Sequence, residues 1–444
     1  MPHGIIAAIH VKTDPIMPET LRPVAVVGGA RIPFARSNTA YLEASNQDML
    51  TAALAALVDR FSLKGETVGE VAAGAVIKHS RDWNLTREAA QGSGLDPHTP
   101  AYDVQRACGT SLTTTVQLAH RIARGEIDCA IAGGVDTTSD VPIVHSQGFT
   151  RIALASARGK TFGQRIAPWL RLRPRDLKPS TPGVAEPRTG LSMGEHCELM
   201  AKEWQIGRAE QDELALASHQ KAAAAWRDGF YAGEVVPFAG LASDNNVRSD
   251  TNLEKLAALK TVYDRSPAGT LTAGNSTPLT DGASCVLLAS EAWARSRGFP
   301  VQAYLTHSGV AAVDYAGLAG PREGLLMAPT YAVPAMLDRA GVKLQDFDIY
   351  EIHEAFAAQV LCTLKAWQSE RYCREKLKRD PLGSIDRSKL NPKGGSVALG
   401  HPFAATGARI VATLAKQLAA CGSGRGLISI CTAGGLGVTA ILER

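Results

Sequence analysis

Twice in this chain a reactive side chain stands at the mouth of a helix that leads into a buried strand. In the first half RACGTS, with Cys108, opens a stretch with Leu112, Val116, Ala119, Ile122 and Ala123 at helical spacing. Gly125 suits its C-terminal cap, and the strand CAIAGG follows at 129–134. In the second half GHPFAATG, with His401, opens a helix from about Ala408 to Leu418, with Ile410, Val411, Leu414, Ala415 and Leu418 on one face. That helix leads to the strand ISICTAGG, with Cys431. Other short apolar runs, VAVVG at 24–28, SCVLLA at 284–289, IYEIH at 349–353 and LISIC at 427–431, also read as buried strands. The pattern predicts an α/β protein with an internal repeat, each half a mixed sheet covered by helices. The plainer alternative is two generic helix–strand units.

A change of character separates the halves. Residues 1–150 form the first half, completed by about 266–298, and residues 299–444 form the second. Residues 151–265 read as an inserted, more exposed domain, rich in Arg and Pro at first and then helical (RAEQDELALASHQKAAAAW). Within it, 158–178 carries Arg158, Lys160, Arg165, Arg171, Arg173, Arg175 and Lys178 against Asp176 alone. Such a stretch is a solvated positive face, or a contact for an anionic ligand, a partner subunit or a membrane surface. A second polar insert, 369–390, reads as a surface excursion.

Composition closes off several classes of function. The 444 residues carry 47 basic and 43 acidic side chains, a balance too even to point to nucleic acid. No apolar run reaches the roughly 18–20 residues of a membrane-spanning helix. The N-terminal segment MPHGIIAAIHVKTDPIMPETLRPV lacks the parts of a signal peptide. Eight cysteines in a chain this long do not make a disulfide scaffold, and CxxC and HExxH are absent. The expectation is a soluble, cytoplasmic, multi-domain protein with reduced thiols.

Four residues carry candidate chemistry. Cys108 sits just before a helix, where the dipole and free N–H groups favour the thiolate; a buried structural cysteine is the competing reading. His401 lies between glycines in GGSVALGHPFAATG and suits a base for a thiol, although a lone histidine is more often structural. Cys431 and His353 end strands, where sites gather in α/β sheets. The backbone N–H groups after Cys431 can line an oxyanion hole. His196 and Cys197 are adjacent but lack a second ligand pair, so no metal site is expected.

Taken in order, RACGTS, GNSTPLTDGAS at 274–284, HEAF at 353–356, GGSVALGHPFAATGAR at 394–409 and CTAGGLG at 431–437 resemble the thiolases over essentially the whole chain. The resemblance implies duplicated α/β/α/β/α layered halves with mixed five-stranded sheets and an inserted loop domain. It implies Cys108 as the acylated nucleophile, His401 as its base and an oxyanion donor, and Cys431 as the second acid/base. His353 would hold a water or donate directly in the first oxyanion hole, and the N–H groups of Cys108 and Ala433 would form the second. LSMGEHCE resembles the segment lining the CoA tunnel, with Met193 near the acyl or pantetheine part and Thr277 near the pantetheine. Coenzyme A and acyl-CoA are then substrates, and no cofactor is implied.

His353 stands where many thiolases have Asn, and Ala433 where many have Gly. Both resemble the β-subunit type of the fatty-acid oxidation trifunctional complex. That implies cleavage of 3-ketoacyl-CoA, a homodimer or homotetramer, and a partner α-subunit with hydratase and dehydrogenase activities. A short-chain acetyl-CoA C-acetyltransferase is the alternative. A β-ketoacyl synthase would lack a second cysteine like Cys431. A non-catalytic acyl-CoA or lipid-binding protein of the same fold would not need all four reactive residues. In a cysteine protease, GHPFAATG and HEAF have no role.

Overall fold

The computed structural model describes residues 21–183 and 185–444. The first 20 residues of the segment read as lacking a signal peptide lie outside that range. Ten strands form the sheet: β1 Val24–Arg31, β2 Ala35–Arg36, β3 Glu70–Ala73, β4 Ala101–Asp103, β5 Cys129–Asp136, β6 Thr280–Ser290, β7 Ala303–Ala312, β8 Ile349–Ile352, β9 Arg425–Thr432 and β10 Leu436–Glu443. The spatial order is β4-β3-β5-β6-β1-β7-β10-β9-β8, with β2 against β6.

The repeat is visible in the pairing. In the first half β1 and β5 run antiparallel to β6, and β3 runs parallel to both β5 and β4. In the second half β7 and β9 run antiparallel to β10, and β8 runs parallel to β9. The counterpart of β4 shrinks to a single parallel bridge, Tyr350 to Leu390. The expected fifth strand of the second sheet is therefore a remnant. Asn391 takes φ 43°, outside the extended range, and Pro392 has no N–H for a ladder. The halves join where Ala25 and Val26 of β1 meet Tyr304 and Ala303 of β7.

Two helices fill the centre. Thr110–Ala123 follows Cys108, and Thr406–Cys421 follows His401. Their apolar faces, with Leu112, Leu118, Ile122, Ile410, Val411 and Leu414, share one core with Val26, Ile428 and Ile430 of the strands. The two N-termini touch. Ser111 Oγ accepts from Ala408 N at 2.8 Å, and a Cβ on Gly407 would lie 2.3 Å from Leu112 N. Glycine is required there for close approach.

The stretch 151–265 divides in two. Its first part, with the helices Gln147–Ala157 and Phe162–Ile166 and the turns to Leu177, buries no side chain and exposes Phe162, Leu170 and Leu177 beside its basic residues. Its second part is packed rather than exposed. The helix Met193–Glu203 lies against Ala357–Gln368, and Arg208–Arg227 lies against the short helix Ser396–Leu399. Buried Arg31 on β1 grips Asp244 with both guanidinium ends, at 2.7 and 2.8 Å, which ties this segment to the first half. The excursion at 369–390 is mostly exposed, as expected of a polar insert. No helix of the described residues is long and apolar enough to cross a membrane.

Candidate active site

Cys108 lies in a 3-10 turn, Ala107–Gly109, that opens directly into its helix. Ala107 adopts φ 43°, a left-handed value that costs a residue with a Cβ and turns the chain sharply at the thiol. Gly109 allows the turn to press on the second half: a Cβ there would sit 2.9 Å from Val438 Cγ2 and 3.0 Å from Thr432 Cγ2. The cysteine retains partial solvent access, yet the packed atoms around it raise its thiol pKa to about 12. The backbone N–H groups of Ala433 and of Cys108 itself oppose that rise by favouring the thiolate. The sequence places the thiol at a helix N-terminus; the folded surroundings make desolvation the larger effect.

His401 is fixed on both sides. Its N–H donates to Thr280 Oγ1 at 2.7 Å, and its Nδ1 pairs with Thr406 Oγ1 at 2.5 Å. Burial, with Arg409 nearby, lowers its pKa to about 3. His353 follows β8, and its Nδ1 pairs with Ser396 Oγ at 3.0 Å. Burial pushes its pKa well below the usual value, helped by His401 and Arg409. Both rings are therefore neutral near pH 7. Their centroids lie 4.2 Å apart, and both Nε2 atoms are buried without a hydrogen-bond partner among the described residues. Cys108 Sγ and one ring nitrogen from each histidine all fall within 4.8 Å of one another.

Cys431, near the end of β9, is buried, and its thiol pKa is raised by desolvation and then by the proximity of Cys108. It belongs to a cluster that includes Met200, Leu326 and Phe356, with Met193 packed against it. Beyond it Gly434 and Gly435, at φ 76° and 69°, make the turn into β10, and Gly434 N donates to Glu186 Oε1 at 2.8 Å. All four reactive side chains are thus brought to the seam between the halves, with the N–H of Ala433 beside Cys108. His196 and Cys197 are not part of it. His196 Nε2 bonds Thr189 Oγ1 at 2.7 Å, and Cys197 is enclosed in the apolar cluster.

Thr277 lines a cavity of about 320 Å³ together with Arg36, His219, Arg248, Tyr263 and Ser276. Met193 is not in its wall. The segment 274–277 runs along the HEAF loop: Thr277 N donates to Ala355 O at 3.1 Å, and Ala357 N to Asn275 O at 2.9 Å. Two motif blocks distant in sequence are thus one wall of one site. Thr277 Oγ1 also donates to Ser396 O at 2.8 Å, which links the cavity to the histidines.

Three supporting residues inside the motif blocks carry no role in the sequence reading. Glu354 is buried and accepts from Ser218 Oγ at 2.7 Å, Asn391 Nδ2 at 2.6 Å and Val397 N at 3.2 Å. It braces the loop before His401, and a Cβ on Gly395 would strike its carboxylate. Ser396 and Arg409 meet at 3.0 Å behind His353. Their signal in the sequence is a polar residue and a charge within apolar, glycine-rich motifs.

A thiol facing two neutral imidazoles at the seam of a duplicated α/β fold is the equipment of a cysteine-dependent acyltransferase. Comparison with known proteins identifies its kind. Residues 24–292 match the model for the thiolase N-terminal domain, and residues 306–444 match that for the thiolase C-terminal domain. The chain belongs to the thiolase family. It is 42% identical over 427 residues to a 3-ketoacyl-CoA thiolase of Yersinia pestis (strain Pestoides F), covering 95% of this chain and 96% of that one. The 3-ketoacyl-CoA thiolase of Yersinia pseudotuberculosis serotype O:1b is similar to the same degree. Among solved structures, acetyl-CoA acetyltransferase of Bacillus anthracis superposes with a TM-score of 0.79 at 28% identity, over 96% of this chain and 99% of that one. Human mitochondrial 3-ketoacyl-CoA thiolase superposes at 0.77, with the same identity and coverage.

Proposed function

We propose that this thiolase cleaves 3-ketoacyl-CoA with coenzyme A, giving acetyl-CoA and an acyl-CoA shortened by two carbons. The observation that carries the proposal is the convergence of Cys108 Sγ with the two neutral imidazoles, beside a second buried thiol at Cys431. The relatives at 42% identity are named 3-ketoacyl-CoA thiolases, which favours this substrate over acetoacetyl-CoA alone.

The steps follow from what each group can do. His401 Nε2, bare and neutral, takes the Cys108 proton as sulfur attacks the 3-keto carbon. The oxyanion that forms is held by the N–H groups of Cys108 and Ala433. The bond between C2 and C3 then breaks, and its electron pair leaves on the acetyl-CoA enolate. His353 and the now protonated His401 donate to the enolate oxygen, while Cys431 delivers its proton to the carbon. Acetyl-CoA departs and CoA enters. The Cys431 thiolate takes the CoA thiol proton, and the CoA sulfur attacks the acyl-Cys108 thioester. Cys108 leaves as thiolate and is reprotonated from His401. Every proton returns to its starting atom. All catalytic parts are side chains and N–H groups of this chain, so the mechanism uses no resident cofactor or metal.

The cavity behind Thr277 suits the CoA arm, with Arg36 and Arg248 facing its phosphates. Met193, packed beside the Cys431 cluster, lies on the acyl side. We further propose a cytoplasmic homodimer or homotetramer, organised as residues 1–150 with 266–298, an inserted 151–265, and 299–444. Release of a shortened acyl-CoA fits a hydratase/dehydrogenase subunit as partner, because that product must be oxidised again at C3 before the next cleavage.

The test is thiolysis by the purified protein across a ladder of 3-ketoacyl-CoA chain lengths. The expected result is turnover with ping-pong kinetics that is faster on longer chains than on acetoacetyl-CoA. Preference for acetoacetyl-CoA would make it a short-chain acetyltransferase, and lack of turnover on every chain would reject the proposal.

A further inference from the structure

We propose that Ser396, pinned by Arg409, holds His353 in the tautomer with its proton on Nε2, so that His353 is a fixed donor and His401 alone is free to act as base. This rests on the thiolase reading above and adds a positioning residue to it.

The argument is a count of protons around one oxygen. Ser396 Oγ has two hydrogen-bond partners among the described residues, Arg409 Nη2 at 3.0 Å and His353 Nδ1 at 3.0 Å. A guanidinium has donors and no acceptor. Arg409 therefore occupies a lone pair of Ser396 Oγ and cannot receive its proton. Ser396 is fully buried, and His353 Nδ1 is the one acceptor within its reach among the described residues. If Nδ1 carried a proton, two donors would converge on Oγ and its own O–H would be left buried without an acceptor, an arrangement native interiors avoid. Nδ1 must accept. In the neutral ring the proton is then on Nε2, which is buried and has no hydrogen-bond partner among the described residues, in a ring that has a nitrogen within 4.8 Å of Cys108 Sγ.

His401 is held differently. Its Nδ1 pairs with Thr406 Oγ1, which makes no other hydrogen bond among the described residues. Among the described residues no guanidinium holds that hydroxyl as a donor, so it can turn to accept from Nδ1–H, although its own buried O–H then goes unpaired. His401 can present a bare Nε2 to a thiol and then carry a proton there. Two imidazoles 4.2 Å apart are thereby given different tasks by the groups behind them.

Ser396 has little freedom to do otherwise. Gly395 before it donates to Ser218 Oγ at 3.0 Å, and Val397 after it donates to Glu354 Oε2 at 3.2 Å. Arg409 is buried, with Glu351 facing it at 4.0 Å and Gln417 Nε2 holding the other oxygen of that carboxylate at 2.8 Å.

Two measurements test this. In protein labelled with 15N at histidine, the His353 signals are those missing from the His353→Asn variant. The expected shifts are those of a protonated Nε2 and a bare Nδ1; a protonated Nδ1 overturns the proposal. In thiolysis, Ser396→Ala should lower kcat about 10-fold or more, short of the roughly 10²–10³-fold cost of losing a whole oxyanion donor. KM for both substrates should stay within about twofold, because the donor acts on the developing charge. Ser396→Thr keeps the hydroxyl and should restore kcat. Wild-type kcat in Ser396→Ala overturns the proposal, as does a Ser396→Thr variant that melts normally but stays slow. The tautomer is read without turnover. If the protein forms no acyl-Cys108, the thiolase reading fails, and the 15N shifts still decide this proposal.

Discussion

The two halves share one pattern of strand pairing and use equivalent strand ends for different purposes. In the second half, Cys431 stands near the end of β9 and His353 just past β8. At the matching places in the first half, β5 ends on Asp136 and β3 is followed by Gly74. In the proposed mechanism Asp136 takes no part. It accepts N–H groups from Val76 at 2.9 Å, Ile77 at 2.8 Å and Ala404 at 2.8 Å, the last from the loop that carries His401. Burial pushes its pKa up to about 7, while those three N–H groups act the other way and hold the ionised form. Gly74 leaves no space for a side chain, since a Cβ would lie 1.8 Å from Val104 O. One half uses its strand ends to brace the seam, the other to present reactive groups. The proposed nucleophile of the first half stands at a helix N-terminus instead. A duplicated fold thus offers two sets of site positions, and here packing at the seam fills the first half's set.

The sharpest attack on this division is Cys108→Ala. It should remove the acyl-enzyme seen by mass spectrometry and lower kcat by roughly 10⁴-fold or more. Acylation that persists on another residue would take the nucleophile away from the first half. Next in size is Cys431→Ser, which should still acylate in a rapid burst yet turn over about 10²-fold more slowly or worse. Near-normal turnover would remove the second half's strand end from the chemistry.

A third expectation concerns acid. His401 is held neutral, its pKa moved from an ordinary 6.5 down to about 3, and His353 is shifted in the same direction. Below pH 6.5 the unfolded chain binds protons that the folded chain refuses, so stability present above about pH 7 is lost as the pH falls toward 3. The loss should be on the order of a few kcal/mol. His401→Gln should flatten the curve of Tm against pH between about 7 and 4, and an unchanged curve would mean that the site is wetter than its packing indicates. The smallest effect is structural. Gly407→Ala places a methyl against Leu112 N and should destabilise by about 1–3 kcal/mol, read as a lower Tm. An unchanged Tm would show that the helix seam has slack.

Much of this is legible in the chain. The spacing predicts a helix over 111–124 after Cys108, and the structure has Thr110–Ala123; after His401 it predicts a start near 408, and the helix begins at Thr406. Long apolar runs such as CAIAGG and LISIC announce themselves because both faces of the strand are buried. The strands β2, β3, β7 and β10 escape the sequence reading. β2 and β3 are short. In β7 the polar run Thr306, His307 and Ser308 interrupts the apolar residues, and most of the strand is only partly buried. The reading of 151–265 as a more exposed insert fits its first part and not its packed second part. The Ala-rich helix Arg208–Arg227 shows no strong apolar stripe and packs through small side chains such as Ala215, Ala222 and Ala225.

The repeat, the family resemblance and the residue types of the site are written in the chain, since they reside in local pattern and in motif blocks. What those residues are chemically depends on the folded molecule. Ser111 and Ala408, whose hydrogen bond closes the seam, are 297 positions apart, and His353 and Ser396 are 43 apart. Neutral imidazoles, a thiol held above its usual pKa and the Ser396–Arg409 pair behind one histidine all arise from desolvation and from partners brought in from elsewhere in the chain. Those are properties of an enclosed volume, and a volume exists only once the two halves have closed on each other.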